Sequence, residues 1–439
     1  MPIRYFDFWL PTFALALTVW VWAISFPRPG PLLSGEGTGL PSPLEREGKS
    51  AVIIAVCILI AALLRYVEPL CCLTATRPPQ IWMVLLALGG IVLMAWGVRQ
   101  GKGGQTWLLN GFSVLLIILL VVLKTPVFAQ AASVGLRTLA GQQADLASPL
   151  DIRWLGFSYL AFRLVHVLRD FSAGRLPVVP LDEFVLYALF FPAYTAGPID
   201  RVQRFIGDLH SVHHLGEILI PAGQRIAIGI FKKFALADGL ALIALNDTNA
   251  AQIISPGWTW VLLYAYALRI YFDFSGYTDI AIGLGMFAGV KMPENFESPY
   301  LKPNLTAFWN SWHITLAQWF RAYYFNPLTR ALRGRKMPIP MVIFLTQVTT
   351  MILIGLWHGV TWNFLVWGAW HGVGLFVHNR WSDAFRARHA QWSAPVPLKA
   401  ALNGAGTLLT FHYVVLGWVW FALADIQHSF ATLGRLFGN

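Results

Sequence analysis

Apolar runs long enough to cross a bilayer recur along almost the whole of this chain. A spanning helix needs about 20 mostly apolar residues, because it must cross about 30 Å of hydrocarbon at 1.5 Å per residue. The sequence therefore predicts an all-α polytopic membrane protein that folds as a single domain over residues 1–439, with ten or eleven spans. Charged residues or prolines interrupt several runs, so amphipathic and re-entrant helices are expected among them. The candidate segments are 8–26, 51–67, 81–97, 108–128, 155–168, 181–196, 218–245, 258–289, 339–357, 361–378 and 404–423.

The charge content agrees with a membrane protein and argues against a nucleic-acid-binding one. Only 12% of the 439 residues are charged, whereas soluble proteins average about a quarter. The 32 Lys+Arg exceed the 21 Asp+Glu, and the excess lies in short clusters between apolar runs, as in cytoplasmic loops. The three cysteines show no CxxC spacing, so neither a disulfide framework nor a metal site is predicted, and no bound cofactor is expected.

The segment GLWHGVTWNFLVWGAWHG (355–372) places titratable groups in apolar sequence. Ionisable residues in membrane segments are rare and usually face a cavity or a partner, which makes His358 a candidate general base. Gly355 and Gly359 would permit a chain reversal and the close approach of a ligand. Asn363 could orient the imidazole or donate to an oxyanion. The alternatives are structural: a neutral histidine bonded to a carbonyl, and an asparagine that joins two helices.

His313 is a second, weaker candidate for a catalytic role, and His371 and Trp357 are candidates for supporting roles. The aromatic residues of 304–326 follow i, i+3, i+4, i+7 spacing, which predicts one amphipathic helix whose aromatic face carries His313. A structural role is the alternative for this histidine. His371 lies thirteen residues after His358, about 20 Å along a continuous helix. The two could share a site only if the chain folds back between them. Trp357 directly precedes His358.

Charged residues elsewhere in the chain suggest a donor site and an ion pair. Arg201 and Arg204 follow a Gly-Pro loop signal and could hold the phosphates of a donor, or simply mark the cytoplasmic edge. Arg269 and Asp273 stand at i, i+4 and are predicted to pair with each other. Asp279 has no obvious partner nearby in the sequence.

The motifs of soluble ester and phosphate chemistry, GxSxG, the P-loop and HExxH, are not present in the sequence. Five other segments are distinctive: FFPAYTAGPIDR (190–201), GIFKKFALADGLA (229–241), YFDFSGYTDIAIGLGMFAGVKMPENFESPY (271–300), FWNSWHITLAQWFRAYYFNPL (308–328) and the segment around His358. In order along about residues 150–380, they resemble the bacterial branch of the membrane-bound O-acyltransferase family, which serves alginate O-acetylation and teichoic-acid D-alanylation.

The resemblance implies an acyltransferase whose helices surround a central funnel and whose two conserved histidines are His358 and His313. Two residues depart from the family pattern, since Ser311 stands where a basic residue is common and Ala322 where an aspartate is common. Both departures bear on partner or acceptor preference.

The implied reaction moves acetyl from cytoplasmic acetyl-CoA across the bacterial inner membrane toward a cell-envelope or secreted polysaccharide. A periplasmic SGNH-type acetyltransferase is the expected partner, because the longest polar loop, 27–49, is too short to fold alone and position a polymer. The alternatives are transfer of D-alanyl from a carrier protein, a transporter with His358 as proton relay, and a structural subunit of an export machine.

Basic residues on both sides of the His358 segment predict its orientation. Because short basic loops stay cytoplasmic, the runs 339–357 and 361–378 should form a hairpin with both ends in the cytoplasm. Its turn, with His358, would then lie at mid-membrane or toward the periplasm. The flanking basic residues are Arg330, Arg333, Arg335 and Lys336 on one side and Arg380, Arg386 and Arg388 on the other.

Overall fold

The computed structural model is mainly helical in the part of the chain that it describes. That part is residue 3 and residues 6–26, 43–67, 78–100, 105–211, 215–388 and 395–438. It contains no β-strand, only one isolated bridge between Phe296 and Trp312. Within it, six helices are long and apolar enough to cross a membrane, so the prediction of an all-α polytopic membrane protein is confirmed. Their qualifying stretches are Phe8–Ser25, Gly48–Tyr66, Ile81–Arg99, Trp107–Lys124, Ile339–His358 and Val396–Ala422.

The chain divides into two compact units. The first comprises Met1–Thr195 and Asp200–Ser211, and the second comprises Ala196–Ile199 and Val212–Asn439. That the whole chain folds as one domain stays a prediction. The described α-helices of the first unit are α1 (Phe6–Ser25), α2 (Pro43–Leu63), α3 (Ile81–Gln100), α4 (Gln105–Lys124), α5 (Pro126–Leu139), α6 (Phe157–Ser172), α7 (Leu181–Ala188), α8 (Phe191–Tyr194) and α9 (Val202–Leu209).

The second unit carries the histidines of interest. Two π-helical stretches, Phe231–Ala237 and Arg321–Phe325, continue directly from α-helices. Its described α-helices are α10 (Leu215–Ile230), α11 (Asp238–Ala241), α12 (Asp247–Gln252), α13 (Pro256–Phe287), α14 (Leu305–Trp309), α15 (Ile314–Phe320), α16 (Asn326–Gly334), α17 (Ile339–His358), α18 (Trp362–Arg388), α19 (Val396–Ala422) and α20 (Ile426–Leu436).

Six of the eleven segments predicted to span the membrane match those six apolar helices. The other five are shorter or more polar. Segments 155–168 and 181–196 form helices of 16 residues (α6) and 8 residues (α7), the latter followed by the one-turn α8. A π-helical stretch interrupts segment 218–245. Segments 258–289 and 361–378 form the long helices α13 and α18, which carry charged and polar residues. The described helices thus include fewer clear spans than the ten or eleven expected, because the other five segments are too short, interrupted or too rich in polar residues.

Glycines bring α17 and α18 into close contact as an antiparallel pair. An added Cβ at Gly368 would lie 2.5 Å from the Met351 carbonyl oxygen, and one at Gly372 would lie 2.7 Å from the Val348 Cα. Small residues of this kind are typical of closely packed helices in membranes, where backbones approach each other directly. The two runs reverse at Gly359–Thr361, between the end of α17 and the start of α18, as the hairpin requires. That both of its ends lie in the cytoplasm stays a prediction.

A second close crossing joins α10 and its π-helical continuation to α13, and it explains the acidic residues of α13. Asp279 accepts hydrogen bonds from Arg225 Nε (2.8 Å) and Lys232 Nζ (2.7 Å). Asp273 pairs with Lys233 across the same crossing. The predicted Arg269–Asp273 pair is therefore wrong, because a neighbouring helix supplies the lysine.

Residues 304–326 do not form the single amphipathic helix that their spacing predicted. Helix α14 ends at Trp309, α15 begins at Ile314, and a π-helical stretch follows α15. His313 lies at the break with a φ of 44°, in the left-handed region that non-glycine residues rarely occupy. The interruption gives His313 a direction that a continuous helix could not provide.

Candidate functional site

His358 is the last residue of α17 and lies half-buried among aromatic rings. Its ring centroid is 4.6 Å from that of Trp357, 4.8 Å from that of Phe421 and 5.7 Å from that of Trp367. The Phe364 ring, just beyond the turn, stacks on the imidazole at 5.9 Å. An imidazole that is enclosed by apolar rings yet still reachable suits proton transfer to a bound substrate.

Gly355 and Gly359 allow close packing between helices. The sequence had suggested instead that they would let a ligand approach. A Cβ at Gly355 would collide with the carbonyl oxygen of Phe364 in α18. A Cβ at Gly359 would lie 2.8 Å from the ring of the same phenylalanine. The expected chain reversal is present, but protein atoms occupy the space that both glycines leave.

His313 is held in place by a segment that precedes it by about twenty residues. The backbone N–H of Ile314 donates to the Asn295 carbonyl oxygen (3.0 Å), and that of Glu297 donates to the Ser311 carbonyl oxygen (3.0 Å). The Asn295 Oδ1 accepts from both the N–H (3.2 Å) and the hydroxyl (2.6 Å) of Thr315. Bonds on both sides of His313 therefore fix its left-handed backbone.

The imidazole of His313 is buried, and neither ring nitrogen has a hydrogen-bond partner among the described residues. Burial lowers its pKa to about 3, so the ring is neutral near pH 7. A neutral imidazole carries one N–H donor and one acceptor. Buried polar atoms without partners are uncommon in folded proteins, so these two nitrogens are available to hydrogen-bond to a molecule that enters the site.

Trp357 connects the two histidines. Its ring lies 4.6 Å from that of His358 and 6.1 Å from that of His313, measured between centroids. The sequence-predicted residues His358, His313 and Trp357 therefore come together in the second unit. This grouping forms the candidate site.

The other two supporting candidates, Asn363 and His371, have structural surroundings. The Asn363 Nδ2 donates to the Leu423 carbonyl oxygen (2.6 Å) and to Ser429 Oγ (3.0 Å), so this amide joins α18 to α19 and α20, the alternative that the sequence left open. His371 is fully buried. The Trp367 ring contacts both His371 (5.0 Å) and His358 (5.7 Å), so the fold-back brings the two histidines to one tryptophan.

The arginines considered for donor binding belong to the first unit. Arg204 donates to Asp200 (2.6 Å) and to Asp208 (2.9 Å), so its guanidinium already holds two carboxylates. Burial raises the pKa of the Asp200 carboxyl, and Arg204 opposes that effect. Arg201 is exposed at the start of α9. Donor binding by these arginines stays a prediction.

Sequence reasoning missed Asn295 and Thr315, which position His313. Both side chains are buried, and Thr315 Oγ1 also accepts from the backbone N–H of Ile199 (3.0 Å). Asn295 lies in an irregular segment without periodicity, so only its place in the family-like stretch 271–300 could have drawn attention to it. Ser311, one of the two departures from the family pattern, donates to the Ala307 and Phe308 carbonyl oxygens where α14 ends.

A large cavity is present in the second unit, but it does not contain the two histidines. A cavity of about 1070 Å³ lies between α18 and α19 with an almost entirely apolar lining, and neither His313 nor His358 lines it. Within the described ranges, no group of three or more His, Cys, Asp or Glu residues is arranged to hold a metal ion. The candidate site is thus a pair of histidines among aromatic rings, able to accept a proton and to donate a hydrogen bond.

Comparisons with known proteins point to acyl transfer. Residues 79–405 match the family model described as MBOAT, membrane-bound O-acyltransferase family, a wider range than the predicted 150–380. The chain is 32% identical over 366 residues to the probable alginate O-acetylase AlgI of Pseudomonas aeruginosa, covering 82% of this chain and 66% of that protein.

Two other relatives act on different polymers by name. The chain is 29% identical over 372 residues to the teichoic acid D-alanyltransferase of Streptococcus thermophilus, covering 80% of this chain and 84% of that protein. It is 33% identical over 259 residues to the peptidoglycan O-acetyltransferase of Helicobacter pylori, covering 58% of this chain and 46% of that protein. The chain therefore spans about two thirds of the alginate relative and less than half of the peptidoglycan relative.

Proposed function

Because the chain belongs to the membrane-bound O-acyltransferase family, we propose that it transfers acetyl from acetyl-CoA toward O-acetylation of a cell-envelope or secreted polysaccharide. The observation that carries the proposal is the half-buried imidazole of His358, which shares the Trp357 ring with His313. The relatives named for O-acetylation support acetyl as the group transferred, since two of them are 32% and 33% identical to this chain. The D-alanyl relatives are 29% and 28% identical.

In the proposed step His358 moves one proton. The acceptor hydroxyl passes its proton to the imidazole while its oxygen bonds to the thioester carbonyl carbon. The C–S bond then breaks, and the thiolate takes that proton from the imidazolium, leaving an ester and a thiol. His313, whose neutral ring has one N–H without a protein partner among the described residues, donates to the carbonyl oxygen as negative charge develops there.

A second route uses His358 as a transient acyl carrier. The imidazole attacks the thioester carbon, and its own N–H proton leaves with the thiolate. The acceptor hydroxyl then attacks the acyl-imidazole and returns a proton to the ring. Both routes begin from a neutral His358 and give the same products. Trapping an acetylated His358 by rapid acid quench separates them.

Transfer of D-alanyl from a carrier protein is the second candidate, because the match to the D-alanyltransferase covers 84% of that relative. Purified chain in nanodiscs, mixed with a periplasmic SGNH-type acetyltransferase as acceptor and supplied with [14C]acetyl-CoA or with a D-[14C]alanyl carrier protein, distinguishes the two. We expect acceptor-dependent release of CoA thiol with the first donor and no thiol release with the second. If thiol is released only from the carrier protein, the transferred group is D-alanyl and not acetyl. If thiol is released from neither donor, the proposed function is refuted.

The route also requires an orientation and a partner. We place the chain in the bacterial inner membrane, with both ends of the α17–α18 hairpin in the cytoplasm and a periplasmic SGNH-type acetyltransferase receiving the acyl group. In a chain without native cysteines, a single cysteine at Ser382 should react with an impermeant thiol reagent from the cytoplasm, and one at Thr361 from the periplasm. Labelling of both cysteines from the periplasm would show that the proposed orientation of the hairpin is wrong. If the chain alone acetylated the polymer at full rate, a periplasmic partner would not be required.

A further inference from the structure

The large cavity between α18 and α19 is a groove that opens to the surroundings of the protein. Three of the side chains that line it are exposed: Val373 (42%), Val377 (58%) and Leu409 (75%). Its lining residues on α18 run from Val366 to Trp381, so the groove is about 22 Å long at 1.5 Å per residue. We call it the apolar groove, since nearly all of its lining is hydrocarbon or aromatic.

Close packing beneath the apolar groove fixes its shape. The rings of Trp370 and Tyr413 stack with their centroids 4.5 Å apart. The Tyr413 hydroxyl donates to the Trp370 carbonyl oxygen (2.6 Å), and the Trp370 Nε1 donates to the Tyr413 carbonyl oxygen (3.1 Å). An added Cβ at Gly406 would lie 2.5 Å from the Pro303 carbonyl oxygen. The groove is therefore a built feature, held open above tightly joined helices.

One end of the apolar groove leads to a pair of cations. Lining residue Trp381 lies near the end of α18, and Arg388 follows it by seven residues; Lys399 precedes the lining residue Gly406 of α19 by seven residues. Residues seven apart share one face of a helix. Both cations thus lie on the groove face, about 10 Å beyond its lining.

These two cations are exposed and have no ion pair among the described residues. The nearby Asp383 pairs instead with Arg380 and Arg386. At the opposite end of the groove the lining ends in aromatic rings, those of Trp420 and Phe430. The groove therefore combines an apolar length with a positive charge at one end only.

This polarity fits a lipid with an anionic headgroup. Trp381 is 72% exposed, and exposed tryptophans mark the level of the headgroups in a membrane protein. Long cationic side chains just beyond that level can bend back toward a phosphate. One leaflet contributes about 15 Å of hydrocarbon, so a groove of about 22 Å can hold a lipid from its glycerol to the end of its chains.

The width favours acyl chains over a helix of another protein. Divided by its length, the volume of about 1070 Å³ corresponds to a mean cross-section of about 50 Å². An α-helix with its side chains is about 10–12 Å wide and needs about 80 Å² or more. Acyl chains have no side groups and fit a narrower space.

We propose that the apolar groove binds an anionic glycerophospholipid of the bilayer, with its acyl chains along α18 and α19 and its phosphate at Arg388 and Lys399. The inference is independent of the proposed function, because this lipid is neither acyl donor nor acceptor. The same two helices carry Trp367 and Phe421, whose rings contact His358. The bound lipid thus stabilises the helices that enclose this histidine.

Native mass spectrometry on delipidated chain in detergent tests the headgroup preference. We expect one dioleoylphosphatidylglycerol to bind about thirtyfold more tightly than dioleoylphosphatidylcholine, since each of two cations near an anionic headgroup contributes a factor of about five. Arg388→Gln combined with Lys399→Gln should abolish the preference without changing phosphatidylcholine binding. Arg330→Gln combined with Arg333→Gln removes the same charge from exposed positions outside the groove and should keep the preference.

Filling the groove tests the position of the chains. We expect Val373→Trp and Leu409→Trp each to weaken both lipids by about tenfold or more, because the new ring displaces buried hydrocarbon. Leu408→Trp, at an exposed neighbour that does not line the groove, is the matched control and should bind normally. Phosphatidylglycerol should also raise the thermal midpoint of the wild type and of Leu408→Trp, but not that of Leu409→Trp.

Three results would overturn the inference. They are wild-type lipid affinity in the groove-filling variants, a preference for phosphatidylglycerol that survives loss of both cations, and no retained lipid in the wild-type chain. The last result would leave the groove to a helix of another protein. Because Leu409 is 75% exposed, Leu409→Trp decides the question even if Val373→Trp fails to fold.

Discussion

His358 and His313 are positioned in different ways, although both histidines contact the same tryptophan. His358 ends a regular helix, and the glycines and aromatic rings that shape its turn lie mostly between residues 339 and 388. His313 occupies a break between two short helices, and residues 295–297 hold it there. The first segment is specified by its own sequence and the second by a distant one. The site therefore depends both on local sequence and on contacts from a distant segment.

Removing the His358 imidazole should have the largest effect. We expect His358→Ala to lower acyl transfer by about 10²–10⁴-fold, the range that a general base contributes, while the chain still inserts and purifies normally. Thiol release in nanodiscs measures the loss. His378→Ala, a half-buried histidine of α18, is the matched control and should retain activity. Wild-type glycan acetylation by His358→Ala in cells that lack the native copy would remove His358 from the chemistry.

The same contrast explains which features could be predicted from the sequence. The apolar helices, the hairpin and the choice of His358 and His313 as site residues follow from local patterns or from family resemblance. The break at His313 was not predictable from periodicity, because aromatic residues keep helical spacing through it while Asn295 supplies the competing hydrogen bonds. The partners of Asp273 and Asp279 were also missed, since they come from another helix. Tertiary contacts determined each of these outcomes.

Perturbing the support of His313 should have the second-largest effect. Thr315→Val keeps the side-chain volume but removes the hydroxyl that bonds to Asn295 Oδ1 and accepts from the Ile199 N–H. Leaving such buried groups without a partner costs about 1–3 kcal/mol. We expect about tenfold slower transfer, with the change in kcat rather than in KM.

Thr315→Ser is the rescue variant, because it restores the hydroxyl. Recovery of kcat in Thr315→Ser, together with normal yield of Thr315→Val, assigns the effect to the position of His313. Equal activity of the valine and serine variants would show that the left-handed backbone does not depend on this hydrogen bond.

Disturbing the His358 segment from within its own hairpin should mainly lower stability. In Gly368→Ala the new Cβ would lie 2.5 Å from the Met351 carbonyl oxygen, so α17 and α18 must separate, at a cost of about 1–3 kcal/mol. Thermal unfolding in nanodiscs should show a lower midpoint. Gly404→Ala in α19, where an added Cβ meets nothing within 4 Å, is the matched control. An unchanged midpoint for Gly368→Ala would mean that the two helices do not need this close contact.

Replacing His371 should have the smallest effect, although this histidine is more deeply buried than His358. Leucine would lose aromatic contacts with Trp309 and Trp367, worth about 0.5–1.5 kcal/mol each. It would also remove two buried nitrogens that lack partners among the described residues, which relieves a penalty of similar size. These terms offset each other, so His371→Leu should change stability by about 1 kcal/mol or less. Transfer should stay within about threefold of wild type, because His371 affects His358 indirectly, through intervening aromatic rings such as Trp367. Paired measurements of kcat/KM and thermal midpoint test this. A hundredfold loss of activity in a stable variant would instead make His371 a third histidine of the site.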